Sequence, residues 1–470
     1  MPTDRSTAHL KTVEQRLLWL SHWMVHNANH IRPKQDGIKV GGHQASSASM
    51  VSIMTALYFS ALRPEDRVAV KPHAAPVFHA MQYLMGNQTR EKIEAFRGFG
   101  GAQSYPSRTK DIDDVDFSTG SVGLGVGITA LAALVQDFIA AKAWGDIRKG
   151  RMVALVGDAE LDEGNIYEVL QEGWKNDLRN TWWIIDYNRQ SLDGVVNDKL
   201  FRLIDRLFRA AGWRVVIMKY GKLMMEAFKK PGGKALKKWI NDCPNDMYAA
   251  LTFQGGATWR DHVGADIGDQ PGVAQLLAEY TDDELQDLMS NLGGHCLETI
   301  CEAFNSAAQD DVPTCFLAYT IKGWGLPLAG HKDNHAGILT PDQLKGFQKD
   351  LGIAEGDEWA PFAGMEDRAE DLASFIQSTP FMADGGKPRR HASKPVAVPE
   401  KLAETPTSKG STQEAFGKIL FELAATDHEL ADRIVTTSPD VTVSTNLGPW
   451  VNRRGIFAME EREDTFRKVN

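Results

Sequence analysis

Two short apolar runs separated by a helix-like stretch constrain this chain more than any other feature of its sequence. The runs are residues 152–156 (MVALV) and 182–185 (WWII), and polar loop residues follow each of them. Uninterrupted apolar runs that stop in this way are typical of buried parallel strands. Between them, residues 164–176 have apolar side chains at the spacing of one helical face. Similar runs at 213–220 and 314–320 predict two further strands, so the sequence indicates an α/β fold.

The polar residues after the first two predicted strands are expected to meet in space. A strand–helix–strand crossover is right-handed, and both strands then end at the same edge of the sheet. Asp158 and Asn188 come together there, near the backbone carbonyl of Gln190. A carboxylate, an amide oxygen and a carbonyl form part of the oxygen octahedron of Mg²⁺, which waters or phosphates complete. Gly157 allows the backbone to turn closely beneath those phosphates.

The residues at the ends of these runs resemble the thiamine diphosphate signature of the transketolase superfamily. The segments GDAELDE (157–163) and NRQSLDG (188–194) most resemble the decarboxylating component of the homodimeric pyruvate dehydrogenase complex. This resemblance extends over essentially the whole chain. It implies the thiamine-diphosphate-binding fold, in which helices flank a parallel twisted sheet. The alternative is an ordinary βαβ unit whose loops happen to be polar.

The resemblance also implies a cofactor site with Asp158, Asn188 and Gln190 as ligands of Mg²⁺. The residues that it places around thiamine diphosphate are Gly123, Gly125, Gly157, Asp158, Ala159, Glu160 and Asn188. Two positions depart from the family pattern: Ala159 replaces a third glycine, and Asp186 stands where the family has the first of two asparagines. Because the matched metal ligands are intact, we expect both departures to be tolerated and an Asp186→Asn change to be mild.

Residues 121–127 (SVGLGVG) form a second glycine-rich stretch, before a helix predicted at 128–143. Glycines at a helix start allow backbone N–H groups to close on an anion. We expect Gly123 and Gly125 to line the diphosphate or the thiazolium ring. The stretch 117–136 is also uncharged over about the length of a membrane span. Its glycines and polar residues favour a loop followed by a buried helix instead.

Three histidines and a tyrosine match substrate-side positions of the same family. His43 lies in GGHQAS at the start of a predicted helix, where partial positive charge favours anions. His73 lies in KPHAAP, Tyr105 in AQSYPS, and His335 in the loop 322–337. The resemblance implies that these four residues are catalytic and face the reacting carbonyl as hydrogen-bond donors or proton carriers. A long loop with glycines at both ends suits a mobile cover over the site, and a solvated polar loop is the alternative.

Charge and cysteine content limit the classes of binding partner and the cellular compartment that we expect for this chain. The formal net charge of −10 argues against nucleic acid, because phosphate backbones are bound by basic surfaces. The four cysteines have no metal-ligand spacing, which indicates free thiols in a reducing cytosol. The first residues do not have the pattern of a secretory signal. We therefore expect a cytoplasmic protein that binds neither nucleic acid nor a membrane.

The chain is expected to have three parts. Residues 1–384 form the diphosphate- and Mg²⁺-binding α/β domain, the stretch 385–411 is a linker rich in Pro, Lys and Ser, and residues 412–470 begin a second α/β domain. The resemblance implies that this second domain binds the pyrimidine ring of the cofactor. No pyrimidine-side glutamate can be assigned in it. We therefore expect this domain to be incomplete and to need a second chain.

These features predict an enzyme that depends on thiamine diphosphate and Mg²⁺. The resemblance implies oxidative decarboxylation of a 2-oxo acid, first of all pyruvate, with acyl transfer to lipoamide on a lipoyl-bearing acyltransferase. The expected assembly is a homodimer or a pair with a complementary second chain. Two alternatives stay open: a transketolase that acts on sugar phosphates, and a catalytically silent partial chain that needs a second subunit.

Overall fold

The computed structural model of the protein describes residues 4–33, 37–144, 148–190, 200–335, 337–383, 395–401, 409–426 and 429–458, together with 463, 465 and 469. The chain forms two compact units, Met1–Arg389 and Arg390–Asn470. The predicted linker at 385–411 falls largely outside the described residues, so the domain boundaries stay a prediction.

A parallel sheet forms the centre of the first unit. Its strands are β1 (Arg67–Ala69), β2 (Met152–Gly157), β3 (Thr181–Tyr187), β4 (Arg214–Met218) and β5 (Thr314–Tyr319). Their order across the sheet is β1-β2-β3-β5-β4, and each neighbouring pair is parallel. The predicted α/β architecture is therefore confirmed. The sequence prediction missed β1, because three residues are too few to show a strand pattern.

Helices flank this sheet. They are α1 (Asp4–His26), α2 (Gln44–Ala48), α3 (Val51–Ala56), α4 (Ala75–Leu84), α5 (Arg90–Glu94), α6 (Leu124–Ala141), α7 (Gly164–Lys175), α8 (Leu200–Ala210), α9 (Lys222–Ala227), α10 (Gly233–Asp242), α11 (Asn245–Gln254), α12 (Gly256–Ile267), α13 (Val273–Ala278), α14 (Asp282–Ser290), α15 (Leu297–Ala307), α16 (Pro341–Asp350) and α17 (Ala369–Gln377). The side chains of Thr281 and Thr340 cap α14 and α16 in capping boxes, which fixes where these helices begin.

Alternation along the strands divides the core into two halves. In β2, Val153 and Leu155 belong to the half that includes α1, α3, α4 and α15, whereas Ala154 and Val156 belong to the half that includes α6, α7 and α8. Every residue of β2, β3 and β5 is buried. Both faces of the sheet are thus covered, which explains why its central strands read as uninterrupted apolar runs in the sequence.

Helix α6 begins earlier than the sequence predicts. It starts at Leu124, so Gly125 lies in its first turn rather than in a loop. By length and composition alone this helix could span a membrane, and 39% of it is buried within the protein. Ala133 is buried, whereas Leu131 and Val135 are exposed. The expectation of a buried helix is therefore wrong for the outer side of α6.

The second unit, taken by itself, contains α18 (Thr412–Ala425), α19 (Glu429–Arg433) and α20 (Gly448–Arg454). Leu420 and Ala424 of α18 pack against Trp450 of α20. The described residues 434–443 form turns and extended segments but no strand. The assignment of this unit to a pyrimidine-binding domain stays a prediction.

Glu14 is a buried carboxyl group on α1. Its side chain is 7% exposed, it hydrogen-bonds with Ser52, and its Oε1 has no partner in the described part of the chain. Burial raises the pKa of Glu14 from 4.5 to about 8, against smaller opposing effects of Ser52 and Lys11. The folded chain therefore keeps a proton at Glu14 that the unfolded chain releases at lower pH.

We expect a Glu14→Gln change to remove a pH-dependent loss of stability. Because the folded pKa is raised, stability falls as pH rises above 4.5, and the loss levels off above about 8. Gln cannot ionise, so the melting temperature of the variant should rise relative to that of the parent chain between about pH 5 and about pH 9. Glu172→Gln, which changes an exposed carboxylate, is the control. Parallel curves for Glu14→Gln and the parent would contradict the assignment.

Candidate active site

Three histidines from distant parts of the sequence meet at the carboxyl edge of the sheet. His43 immediately precedes α2, His73 lies in the turn Pro72–Ala74 before α4, and His335 lies in the loop after β5. The ring centres of His43 and His73 are 4.0 Å apart, and those of the other two pairs are 5.2 and 5.5 Å apart. One nitrogen of each ring lies within 4.8 Å of the others. The structure thus brings together the histidines that the sequence singled out.

Burial keeps two of these imidazoles uncharged. It lowers the pKa of His73 to about 2, and the neighbouring His43 and Lys71 add to the effect. Burial also lowers the pKa of His43, followed by the charge of Arg97. Nδ1 of His43 is buried without a hydrogen-bond partner among the described residues. A neutral imidazole has one N–H donor and one acceptor nitrogen, so each ring can donate one hydrogen bond and accept another near neutral pH.

His335 is paired with a lysine that the sequence analysis missed. Nζ of Lys322 lies 3.0 Å from Nδ1 of His335, and it donates to the backbone carbonyl of Gln190 at 3.3 Å. Burial lowers the pKa of Lys322 to about 8, and Lys71 adds to the effect. An ammonium group can only donate, so Nδ1 of His335 accepts and the ring proton lies on Nε2. One side chain therefore holds both His335 and the segment that contains Gln190.

The loop that carries His335 is packed rather than solvated. Lys322, Leu326 and Asn334 are buried. Nδ2 of Asn334 donates to the backbone carbonyls of Lys322 and Leu328, at 3.0 and 3.2 Å. The alternative of a solvated polar loop is therefore wrong for these residues, and the mobility of the loop stays a prediction.

Arg97 is a second cation that the sequence analysis missed. Its Nη1 donates to the backbone carbonyl of Val40 at 3.1 Å, and its Nε is buried without a partner in the described part of the chain. Its backbone is left-handed, with φ of 58°, which is uncommon for a residue other than glycine. Burial lowers the pKa of Arg97 and the nearby Tyr105 opposes this effect, while Arg97 in turn lowers the pKa of His43. The catalytic role of Tyr105 stays a prediction.

The two predicted metal-binding loops are joined by hydrogen bonds. Oδ2 of Asp158 accepts from the backbone N–H of Arg189 at 2.7 Å, and Oδ1 accepts from that of Ala159 at 2.9 Å. Oδ1 of Asn188 accepts from the backbone N–H of Gln190 at 3.0 Å. The ends of β2 and β3 therefore bring Asp158, Asn188 and Gln190 together, and their role as metal ligands stays a prediction.

Glu160 connects the two glycine-rich segments. Its Oε1 accepts from the backbone N–H of Gly157 at 2.9 Å, and its Oε2 accepts from that of Gly123 at 3.0 Å. The N–H groups of both glycines therefore donate to an anion within the protein, namely the carboxylate of Glu160. The expectations that Gly123 lines the cofactor and that Gly157 lets the backbone turn beneath the phosphates stay predictions. Glu160 positions both segments.

The glycines themselves are required by close packing. Gly123 has φ of 77°, and a Cβ there would lie 2.9 Å from Cβ of Glu163. A Cβ on Gly125 would lie 3.3 Å from that of Ala69, so Gly125 allows α6 to pack closely on β1. A Cβ on Gly157 would lie 3.1 Å from Cε of Lys71. These positions shape the site even though their predicted contacts with the cofactor are untested.

Asp186 forms a buried ion pair with Lys71. Its Oδ2 accepts from Nζ of Lys71 and from the hydroxyl of Ser49, each at 2.7 Å, and from Nδ2 of Asn188 at 3.1 Å. Its Oδ1 accepts from the hydroxyl of Thr320. The side chains of Lys71 and Asp186 are 6% and 0% exposed. The sequence identified Asp186 only as a departure from a family pattern and gave no sign of its partner.

Residues 39–235 match the family described as "Transketolase, thiamine diphosphate binding domain". This part of the chain is therefore similar to the transketolase-type thiamine diphosphate-binding domain. Among its relatives are the pyruvate dehydrogenase E1 components of Corynebacterium glutamicum and Cupriavidus necator, with 28% and 26% identity over 94% and 98% of this chain. The matches cover 50% and 52% of those proteins, so the chain spans about half the length of the curated relatives that it matches.

Solved transketolases have the same fold. The transketolase of Leishmania mexicana matches 96% of this chain and 58% of its own chain, with a TM-score of 0.61 and 15% identity. That of Campylobacter jejuni matches 93% of this chain and 58% of its own, with a TM-score of 0.57 and 17% identity. The family resemblance predicted from the two loop segments is therefore confirmed.

The side chains at the ends of β2 and β3 fit a hard cation at the predicted position. Asp158, Asn188 and Gln190 offer the oxygen donors that Mg²⁺ prefers. Burial raises the pKa of Asp158 to about 7, and the charge of Asp186 adds to the effect, so a cation at this position would favour the ionised carboxylate. Oε1 of Gln190 is buried without a partner in the described residues. The backbone carbonyl of Gln190 already accepts a hydrogen bond from Lys322, so a cation bound there would be a second partner of the same oxygen.

We expect an Asp186→Asn change to destabilise the chain, contrary to the expectation from the family pattern. Asn keeps the shape but leaves the ammonium of Lys71 buried without a counter-ion, and removing one partner of a buried pair costs roughly 3–5 kcal/mol. The melting temperature should fall by several degrees. A Lys71→Met/Asp186→Asn double variant should recover part of the loss, because it removes both charges.

Glu226→Gln is the matched control for this experiment, since it breaks an ion pair whose side chains are 68% and 65% exposed. We expect its effect on the melting temperature to be slight, because surface pairs contribute little. An Asp186→Asn variant that melts together with the parent would show that the ion pair with Lys71 does not stabilise the fold.

Proposed function

We propose that this chain takes part in the oxidative decarboxylation of a 2-oxo acid, with thiamine diphosphate and Mg²⁺ as cofactors. The substrate that we propose is pyruvate. The acyl group would pass to lipoamide on a lipoyl-bearing acyltransferase. The observation that carries the proposal is the meeting of His43, His73 and His335 beside the loops that contain Asp158 and Asn188. The pyruvate dehydrogenase E1 relatives support the same activity.

The proposal gives the residues at the ends of β2 and β3 the task of holding the cofactor. Thiamine diphosphate supplies an electron sink for cleavage next to a carbonyl group. Asp158, Asn188 and Gln190 would hold Mg²⁺ against its diphosphate. Glu160 and Gly123 would keep the two loops at the correct separation, because the carboxylate bridges them.

The histidine side of the site would receive the substrate. A 2-oxo acid has a carboxylate directly next to its carbonyl, and Arg97 places a guanidinium group close to His43. The rings of His43 and His73 are neutral, and each still has one N–H group that can donate a hydrogen bond to a carbonyl oxygen. Lys322 holds His335 so that its Nε2 carries the mobile proton. Tyr105 would support Arg97.

We also propose that the working assembly contains a second copy of this chain or a complementary chain. Large apolar residues are exposed just before α6 and on the outer sides of α6 and α7, namely Val122, Leu124, Leu131, Val135, Tyr167 and Trp174. Exposed apolar patches commonly mark association surfaces. The cytoplasm remains the proposed compartment, since the thiols of Cys296, Cys301 and Cys315 are free and buried.

Two assays distinguish this proposal from its alternatives. Reductive acylation of a lipoyl domain from pyruvate, in the presence of both cofactors, would support the pyruvate dehydrogenase activity. Two-carbon transfer between sugar phosphates would instead support a transketolase, whose fold this chain shares. Cofactor binding without either reaction, alone and with candidate second chains, would favour a silent binding subunit.

The metal loop provides the first mutational test. We expect Asp158→Ala and Asp158→Asn to weaken binding of thiamine diphosphate in the presence of Mg²⁺ by more than about tenfold, because both remove the charged ligand. Calorimetric titration measures this directly. Asp162→Ala is the control, since Asp162 lies in the same turn, Asp158–Asp162, and is exposed. Unchanged affinity in both Asp158 variants would refute the metal assignment.

The loop histidine provides the second test. We expect His335→Ala to slow pyruvate turnover strongly while leaving cofactor affinity almost unchanged, because the ring of His335 packs against His43 and His73, and Lys322 remains to hold the Gln190 carbonyl. Turnover is followed as release of CO₂. If activity requires a second chain, that chain is added to the assay. His331→Ala is the control, because His331 lies on the same loop but packs against Phe253. An equal loss of cofactor affinity would place His335 in a structural role.

A further inference from the structure

A cavity of about 140 Å³ lies on the face of the sheet opposite to Asp186. Successive residues of a strand point to opposite faces, so Asp186 faces Lys71 while its neighbour Tyr187 lines the cavity. Tyr248 and Tyr319 form further aromatic walls. The three histidines of the candidate active site do not belong to its described lining. The cavity is therefore separate from the site already described, although it opens beside the same loops.

Arg189 enters this cavity as a buried cation. It is 9% exposed, and its guanidinium carbon lies 4.5 Å from the ring centre of Tyr248. The contact of its Nη2 with the carbonyl of Thr320 is long, at 3.5 Å, and its Nε is buried without a hydrogen-bond partner in the described part of the chain. A buried guanidinium is normally stabilised by a paired anion. Arg189 therefore has donors available to a bound molecule.

Lys219 supplies a second cation to the same cavity. Its Nζ donates to Oδ1 of Asn241. Both cations line the cavity, and Nζ of Lys219 and the guanidinium carbon of Arg189 lie 5.4 and 5.8 Å from the ring centre of Tyr319. Burial lowers the pKa of Lys219 to about 8, and the charge of Arg189 adds to the effect. Asp242 is the acidic residue of the described lining, and its carboxylate is ion-paired with Lys238 at 3.0 Å. The cavity thus contains more positive than negative charge.

We propose that this cavity binds a small organic anion, either a short carboxylate or a compound with a phosphate group. The anionic group lies between Arg189 and Lys219, which carry the donors that proteins use for carboxylates and phosphates. The hydroxyl of Tyr319 is buried without a partner among the described residues and donates to the same group. The rings of Tyr248 and Phe201 receive the apolar part.

The size of the cavity limits the ligand. An apolar cavity of about 150 Å³ holds one benzene molecule. A ligand of about that size, such as a carboxylate with a short branched chain, fills the space, and a nucleotide does not enter it. The inference rests on this cavity alone and would stand if the chain had no decarboxylase activity.

Binding in the cavity would also affect the metal loop. The backbone N–H of Arg189 donates to Oδ2 of Asp158 at 2.7 Å, while the side chain of Arg189 lines the cavity. A ligand that holds this side chain also fixes the residue that orients Asp158. The anion and a cation at Asp158 would therefore change each other's affinity by the same factor.

Cys243 gives a local measurement of occupancy. It lines the cavity and is partly exposed, whereas Cys296, Cys301 and Cys315 are buried. The rate of its alkylation by iodoacetamide, followed by mass spectrometry of the peptide, should fall when an anion occupies the cavity. Competition lowers the rate by a factor of 1 + [L]/Kd, or about tenfold at about ten times the dissociation constant. Inorganic phosphate, isobutyrate and chloride are compared at equal ionic strength.

Two variants locate the effect. Lys219→Met and Tyr319→Phe should abolish or weaken the protection of Cys243, while Lys229→Met, at an exposed lysine paired with Glu226, should leave it unchanged. The alkylation rate without an anion and the melting temperature show whether each variant folds. Tyr319→Phe removes a single oxygen, so it carries the test if Lys219→Met does not fold.

The outcomes are distinct. Protection by isobutyrate supports a carboxylate ligand, and protection by phosphate alone supports a phosphorylated one. Protection that persists equally in Lys219→Met and Tyr319→Phe would mean that the anion binds elsewhere, for example at the diphosphate position, and would overturn the proposal. Protection by chloride to the same extent, or by none of the anions, would overturn it as well.

Discussion

The carboxylate of Asp186 joins the four segments on which the candidate active site depends. It accepts hydrogen bonds from Ser49, Lys71, Asn188 and Thr320. Ser49 follows the helix that begins after His43, Lys71 lies two positions before His73, Asn188 lies in the metal loop, and Thr320 begins the loop to His335. A buried charge is tolerated only where such partners surround it, so the same contacts that stabilise Asp186 fix the relative positions of these segments.

The charges around Asp186 explain why the site combines neutral imidazoles with buried cations. Lys71, Lys322 and Arg97 all act to keep His43 or His73 unprotonated. Burial and then repulsion by Asp186 raise the pKa of Asp158, while Lys71 lowers it. Among the described charges of this site, Asp186 and Lys71 balance each other in a buried ion pair. A diphosphate with its metal ion, and an anionic substrate, would supply the remaining charges of both signs.

The sequence predicts this fold well because its main signals are local. Buried strands appear as apolar runs, helix caps as Thr281 and Thr340, and the loop residues Asp158 and Asn188 follow from the handedness of one crossover. The ion pair of Lys71 with Asp186, the lysine behind His335 and the bridge formed by Glu160 were not predicted. Each of these three interactions either joins residues far apart in the chain or depends on which N–H groups a carboxylate reaches. The spacing of residues along the sequence does not indicate such contacts.

Arg189 shows how much a single residue between two predicted ones can change the interpretation of a loop. Asn188 and Gln190 hydrogen-bond to each other next to Asp158, and the left-handed backbone of Arg189, with φ of 65°, directs its side chain away to Tyr248. Its backbone N–H group donates to Asp158 in the metal loop, while its side chain lines the cavity on the other face of the sheet. The proposed coupling of the two sites needs no separate pathway, because both sites are formed in part by this one residue.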